Sequence, residues 1–225
     1  MTHVTLAIET STTLCAVGLS VGSEIHIAEL DEPRAHASQI MTQLDQVLDA
    51  AAIELSAVTR IAYGQGPGSF TGVRIAVALA QGLAAGINVP VLGVSSLRIM
   101  AQQAAGLASR NEQLLVAQDA RLGEVYSGLY ERTDRDIVVA LTDDCLAAPE
   151  QLAIVENAAL VGDAWEVMAP LAARASQHAG GVLGAVAPHA GGLLQIAAAT
   201  PDEQWRRAEQ ARAVYLRDQV AHRSG

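Results

Sequence analysis

Apolar and polar positions alternate along the first thirty residues and then change period. Residues 4–9 are an apolar run closed by the polar turn Glu9-Thr10-Ser11-Thr12-Thr13. Residues 14–21 alternate, Gly22-Ser23 breaks them, and 25–30 alternate again. Period two bounded by turn residues predicts three short strands in an antiparallel meander. From Pro33 to about Ala52 the spacing becomes helical, with Ile40, Leu44, Val47, Leu48 and Ala51 on one face. A strand at 58–63, a helix at 72–86, a strand at 89–94 and a helix from Ser95-Ser96 to Gly106 follow. The order βββαβαβα predicts a mixed sheet flanked by helices.

A second cycle begins near residue 113. Strands are predicted at 114–118, 123–130 and 137–141, a short one at 160–161, and helices at 149–157 and 164–175. The stretch 180–192 carries five glycines and a proline and reads as a loop. Thr200-Pro201-Asp202-Glu203 has a capping Thr, Pro at the first position and Glu three residues after the cap, so a helix is predicted to start there. The ending, 213–220, reads as extended or mixed. Both cycles open with strands and continue with helices, which predicts two lobes of related build, divided at 1–99 and 100–225, the last segment free to return to the first lobe.

Composition narrows the function. The chain has 225 residues, 51% apolar but only 3% aromatic, so its core must be built from Ala, Val, Leu and Ile. A folded rather than disordered chain is expected at this hydrophobicity. The net charge of −10, with no lysine, disfavours a direct grip on nucleic acid. Cys15 and Cys145 are too few and too scattered for a disulfide scaffold or a zinc site. No basic leader and no uninterrupted membrane-length apolar run is read, so a reduced, cytoplasmic setting without membrane contact is expected.

The candidate chemistry lies in Gly64-Gln65-Gly66-Pro67-Gly68-Ser69-Phe70-Thr71-Gly72-Val73-Arg74. Four glycines and a proline between a strand and a helix make a loop whose free N–H groups and helix dipole can face an anion. The phosphate-loop pattern of NTPases fails for want of lysine, and the dinucleotide pattern fails because Ser69 stands where a third glycine belongs. The turn at Glu9, Ser11 and Thr12 could hold a phosphate and a hydrated magnesium ion, or be an ordinary hairpin turn. His3, His26, His36, His178, His189 and His222 are scattered, and no Gly-x-Ser-x-Gly elbow exists.

These motifs occur in order with Leu6-Ala-Ile-Glu-Thr-Ser-Thr12, Ala80-Gln-Gly-Leu83, Val91-Leu-Gly-Val-Ser-Ser-Leu97, Asp119-Ala-Arg-Leu-Gly-Glu-Val-Tyr126 and Val214-Tyr-Leu-Arg217. Together they resemble the YeaZ-type TsaB family of bacterial tRNA threonylcarbamoyladenosine biosynthesis proteins, over nearly the whole chain except about 145–200. The resemblance implies a two-lobed α/β fold of the actin, sugar-kinase and Hsp70 type (ASKHA), with mixed sheets flanked by helices. It implies a non-catalytic subunit that organises the paralogue TsaD and recruits the ATPase TsaE, meets tRNA only through that complex, and pairs with itself when alone. TsaD carries His-x-x-x-His where this chain has Ser96 and Met100, so no metal is expected. No cofactor is expected either, except for a nucleotide at the heterodimer junction.

The helix after the loop has small residues at Gly72, Ala76, Ala80 and Ala84, a stripe that lets another helix approach closely. By residue pattern alone that stripe could face its own lobe or a partner. The resemblance assigns it, with the preceding helix, to docking, so Met41, Leu44, Leu48, Gly72, Val73, Ala76, Val77, Ala80, Gln81 and Ala84 are the expected interface. Replacing Ala76 or Ala80 with a bulky charged residue is then expected to abolish docking while leaving the fold intact. Asp119-Ala120-Arg121 reads as a turn with a salt bridge or as a complex contact. Arg206, Arg207, Arg212, Arg217 and Arg223 read as a solvated helix face, with a tRNA-facing role as the alternative. The rival functions are a small phosphotransferase built on Glu9, Ser11 and Thr12, and a metallopeptidase-like enzyme.

Overall fold

The computed structural model describes residues 3–32, 36–108, 112–178 and 180–217, with the side chain of residue 36 left out. The chain divides into two compact units: residues 1–96 with 188–214, and residues 97–187 with 215–225.

The first unit holds strands β1 (Val4–Glu9), β2 (Leu14–Val21), β3 (Glu24–Asp31), β4 (Arg60–Gly66) and β5 (Val91–Ser95), and helices α1 (His36–Ala50) and α2 (Phe70–Ile87). The sheet order is β3-β2-β1-β4-β5, antiparallel through the meander and parallel from β1 to β4 and β5. Alternation decides the two faces. Leu6, Ile8, Cys15, Val17, Leu19, Ile61 and Tyr63 pack with Ile40, Leu44, Val47 and Leu48 of α1 and with Ala76, Ala80 and Ala84 of α2. The intervening positions are small, among them Ala7, Ala16, Gly18 and Ala62. A further helix lies close on β2 there: a side-chain carbon on Gly18 would meet Ala190 Cβ and Leu194 Cδ1, each at 3.0 Å.

That helix (Ala190–Ala199) begins inside the stretch 180–192 expected to be a loop, and it ends at Thr200, where a helix is expected to begin. Leu193, Leu194, Ile196 and Ala197 outweigh the glycines before them, because together they bury one side of the helix while Gln195 stays exposed. After Thr200 a 3-10 turn forms in place of an α-helix, Asp202–Gln204. Its neighbour Trp205 is buried instead, with the Arg60 guanidinium carbon 4.8 Å above its ring. Arg206 then bridges to Val91 on β5. These contacts place 188–214 in the first unit.

The second unit contains α3 (Ser96–Ala104), whose first residue belongs to the first unit, and strands β6 (Gln113–Asp119), β7 (Val125–Arg132), β8 (Val138–Ala140), β9 (Cys145–Ala147) and β10 (Ala159–Val161). The order is β10-β6-β7-β8, with β9 also on β7. Leu97, Met100, Ala101 and Ala104 of α3 cover one face. Trp165 and Leu171, from α4 (Ala164–Val167) and α5 (Ala169–Ala175), cover the other. The single helix expected at 164–175 is broken before Pro170, and that expected at 149–157 is only a turn, Pro149–Gln151. The three-residue β9 carries too little pattern to be read from sequence.

Among the described residues α2 alone is long and apolar enough to cross a membrane by length and composition, but Thr71, Arg74 and Gln81 interrupt its apolar run, and its Gly72, Val73, Ala76, Ala80 and Ala84 are buried in the unit.

Candidate functional site

The turn after β1 and the glycine loop after β4 are expected as separate features. The structure makes them one joint. In the parallel register Ile8 stands beside Tyr63, so Glu9 emerges beside Gly64. Glu9 is fully buried, and its Oε1 accepts the Ser11 N–H at 2.6 Å. Burial pushes its carboxyl above the ordinary glutamate range, and the hydrogen bonds from Ser11 and Thr10 oppose the shift. Oε2 of Glu9 and Oγ of Ser11 are buried without a hydrogen-bond partner.

The glycines answer to this close approach. A side-chain carbon at Gly64 would fall 1.9 Å from Glu9 Oε2, at Gly68 2.4 Å from Ser11 O, and at Gly72 1.9 Å from Thr10 O. Ser69 N–H donates to Ser11 O at 2.7 Å, and Thr10 Oγ1–H donates to Gly72 O at 2.7 Å. Ser69 caps α2, its Oγ accepting from Gly72 N–H and its carbonyl from Val73 N–H. Gly66, at φ +95°, lies against Val214 O, while Val214 N–H donates to Gln65 O at 2.7 Å. The N–H groups of Ser11, Ser69, Gly72 and Val73, which a phosphate cradle would offer, are therefore spent inside the chain. Gly64, Gly66, Pro67 and Gly72 are buried, Gly68 and Thr12 half-buried, and Ser69, Phe70, Thr71 and Arg74 exposed. The Arg74 guanidinium carbon stacks 3.5 Å over the Phe70 ring.

The expected interface splits in two. Leu44, Leu48, Gly72, Val73, Ala76, Ala80 and Ala84 are buried, and all but Gly72 and Val73 belong to the core cluster of the first unit. The small-residue stripe lets α2 lie close on its own sheet, so it is not a docking face, and a charged residue at Ala76 or Ala80 would break the core. Met41 is exposed, and Val77 and Gln81 are half-buried. The outward face of α2 is a different set: Thr71, Arg74, Ala78, Gly82, Ala85 and Gly86 are exposed, and Ile75 is half-buried. Nothing lies within 4 Å of a side-chain carbon built on Gly82 or Gly86. A surface helix of a free-standing domain carries charged and long polar residues on that face; here Arg74 is the only charge. The missed signal is a second stripe at four-residue spacing, 78-82-86, hidden by the first.

Among the described residues no group of three or more His, Cys, Asp and Glu could hold a metal ion. Ser96 and Met100 are buried. Arg206, Arg207 and Arg212 do not share a helix; their guanidinium groups bond Glu203 O, Glu209 Oε1 and Glu209 O. Arg217 bonds Ala120 O and Glu124. Arg223 lies outside the described residues.

Residues 31–190 match the family model described as TsaD, tRNA N6-adenosine threonylcarbamoyltransferase. The chain is 39% identical over 147 residues to the tRNA threonylcarbamoyladenosine biosynthesis protein TsaB of Escherichia coli (64% of this chain, 62% of that protein). It is 44% identical over 122 residues to that of Haemophilus influenzae (54% and 51%). The matches thus span about half to three-fifths of these two relatives. YeaZ from Pseudomonas aeruginosa superposes with a TM-score of 0.84 at 35% identity, over 95% of this chain and 100% of that one.

Proposed function

Because this chain belongs to the TsaB family, we propose that it is a non-catalytic partner subunit in the threonylcarbamoylation of the adenosine beside the anticodon of ANN-decoding tRNAs. It docks TsaD, holds that transferase in its active arrangement and recruits the ATPase TsaE; tRNA reaches it only through the complex. Alone, it pairs with a second copy through the same surface.

The observation that carries this reading is the outward face of α2. An exposed helix face of Ala78, Gly82, Ala85 and Gly86, rimmed by Ile75 and Arg74, leaves room for another helix backbone. Met41 on α1 is an exposed large apolar residue of the preceding helix. A stable heterodimer would bury roughly 1,200–2,000 Å² in total, so neighbouring surface must join this face. The joint of Glu9, Ser11, Gly64, Gly68 and Gly72 is its foundation, fixing where α2 starts.

Sedimentation of the full chain with purified TsaD tests the docking. Gly82→Arg should keep the melting temperature and lose the heterodimer. A Gly82→Arg chain that still binds TsaD with unchanged affinity would place the docking surface elsewhere.

A further inference from the structure

Each of the two sheets has two ends, and three of these four edges are covered or short. On β5, Val91 N–H donates to Arg206 O and Arg206 N–H to Val91 O, both at 2.8 Å. On β10, Leu160 N–H donates to Gly181 O at 3.0 Å and Leu183 N–H to Leu160 O at 2.8 Å. β8 is only three residues long. The fourth edge, β3, is eight residues long. Its ladder to β2 runs without a bulge from Leu14 opposite Asp31 to Val21 opposite Glu24, and it carries neither proline nor lysine. Among the described residues no segment pairs with its outer side. Every second N–H and C=O of an edge strand points away from its neighbour, so β3 is a template for one more strand.

The side chains of β3 say which strand fits. Alternation puts Ile25, Ile27, Glu29 and Asp31 on one face. Ile25 is 54% and Ile27 41% exposed, and Glu29 and Asp31 are exposed beside them. The helix Ala190–Ala199 reaches this face only at its start, where a side-chain carbon on Gly191 would lie 3.5 Å from Ile27 Cδ1. His189, just before that helix, bonds Glu29 through Oε2 alone. Residues directly opposite on one face of a strand pair touch each other, so two isoleucines followed by two carboxylates specify their complement. Running antiparallel, that complement reads Arg-x-Arg-x-Val-x-Val. We propose that the β3 edge binds an extended basic segment of a protein partner as a sixth, antiparallel strand of this sheet. Main-chain hydrogen bonds give the affinity, and the face at 25, 27, 29 and 31 gives the register. The carboxylates of Glu24, Glu29 and Asp31, in a chain of net charge −10, repel a second copy of the same edge. The edge is a different surface from the outward face of α2, so this inference does not depend on the TsaD reading.

The test uses the full chain and a labelled peptide, Arg-Thr-Arg-Thr-Val-Thr-Val, with fluorescence anisotropy as the readout. Saturable one-to-one binding is expected. Because N–H groups alternate in direction along a strand, N-methylation at the odd positions and at the even positions should differ. One set should weaken binding by about ten-fold or more and the other should leave it unchanged. Asp31→Arg should keep the melting temperature, weaken the peptide, and bind Glu-Thr-Arg-Thr-Val-Thr-Val better than wild type does. The reversed order Val-Thr-Val-Thr-Arg-Thr-Arg should bind more weakly. No binding by wild type overturns the proposal, as do equal effects of the two N-methylated sets, equal binding of the reversed order, or indifference to Asp31→Arg, each of which would mean attraction by charge alone. TsaD affinity, measured alongside, should not change in Asp31→Arg.

Discussion

The carboxyl of Glu9 lies against the backbone of Gly64, so close that a side-chain carbon there would fall 1.9 Å from Oε2. Gly72 holds the same relation to the Thr10 carbonyl. Gly64→Ala and Gly72→Ala should each destabilise the first unit by about 1–3 kcal/mol, the range of overpacked cores. Gly72→Ala should cost more, because a backbone carbonyl cannot rotate away as a carboxylate can. Urea unfolding followed by Trp205 fluorescence, with Trp165 replaced by phenylalanine, measures both; an unchanged midpoint would contradict the joint.

Burial of Glu9 makes stability depend on pH in a set direction. Its folded-state value is raised, so the folded protein holds a proton there that the unfolded chain gives up above the ordinary glutamate value of about 4.3. The contribution is complete below that value and is lost as pH rises through the raised folded value, at about 1.4 kcal/mol per pH unit within the window. Glu9→Gln should remove this slope. Unfolding free energies of both proteins from pH 4 to pH 8 should converge in acid, with the variant gaining relative to wild type as pH rises. Parallel curves would show that Glu9 is ionised in the folded state.

The two cysteines should react very differently. Cys15 is buried, its Sγ–H donates to Gln43 Oε1 at 2.9 Å, and burial with the nearby Glu9 raises its thiol to about 11. Cys145 is exposed. A chromogenic disulfide at pH 8 should titrate one thiol per chain within minutes and the second only on unfolding. Two fast thiols would contradict the packing of β2 under α1.

Trp205 should anchor the returning segment 188–214. Its indole N–H donates to Thr200 O at 3.4 Å, and Arg60 covers its ring while Arg60 Nε donates to Thr5 Oγ1 at 2.8 Å. Trp205→Ala should cost about 3–5 kcal/mol. Asp202→Ala should cost under about 1 kcal/mol, because Asp202 is exposed and 3.8 Å from Arg60. Comparable losses in the two variants would mean that the ion pair, not the ring, holds the segment.

The meander, both helices after it and the strands β4 to β7 were legible because alternation and helical spacing each ran long enough to decide the period. The glycine loop was legible as a loop, but its reason was not. Period cannot show that Gly64, Gly68 and Gly72 clear the way for Glu9, Ser11 and Thr10, sixty residues earlier. The stripe Gly72, Ala76, Ala80 and Ala84 was legible as close packing, yet pattern alone does not say against what; the sheet of the same unit takes it. The helix at Ala190–Ala199 was obscured by glycines and by a strong capping signal at Thr200 that only a short turn follows.

Reconstitution of the tRNA modification tests the central claim most directly. TsaD and TsaE, supplied with the threonylcarbamoyl donor, ATP and tRNA, should form product with this chain present, and at least a hundred-fold less without it or with Gly82→Arg in its place. This chain alone should form none. Full activity of TsaD and TsaE without it, or turnover by the chain on its own, would contradict the account.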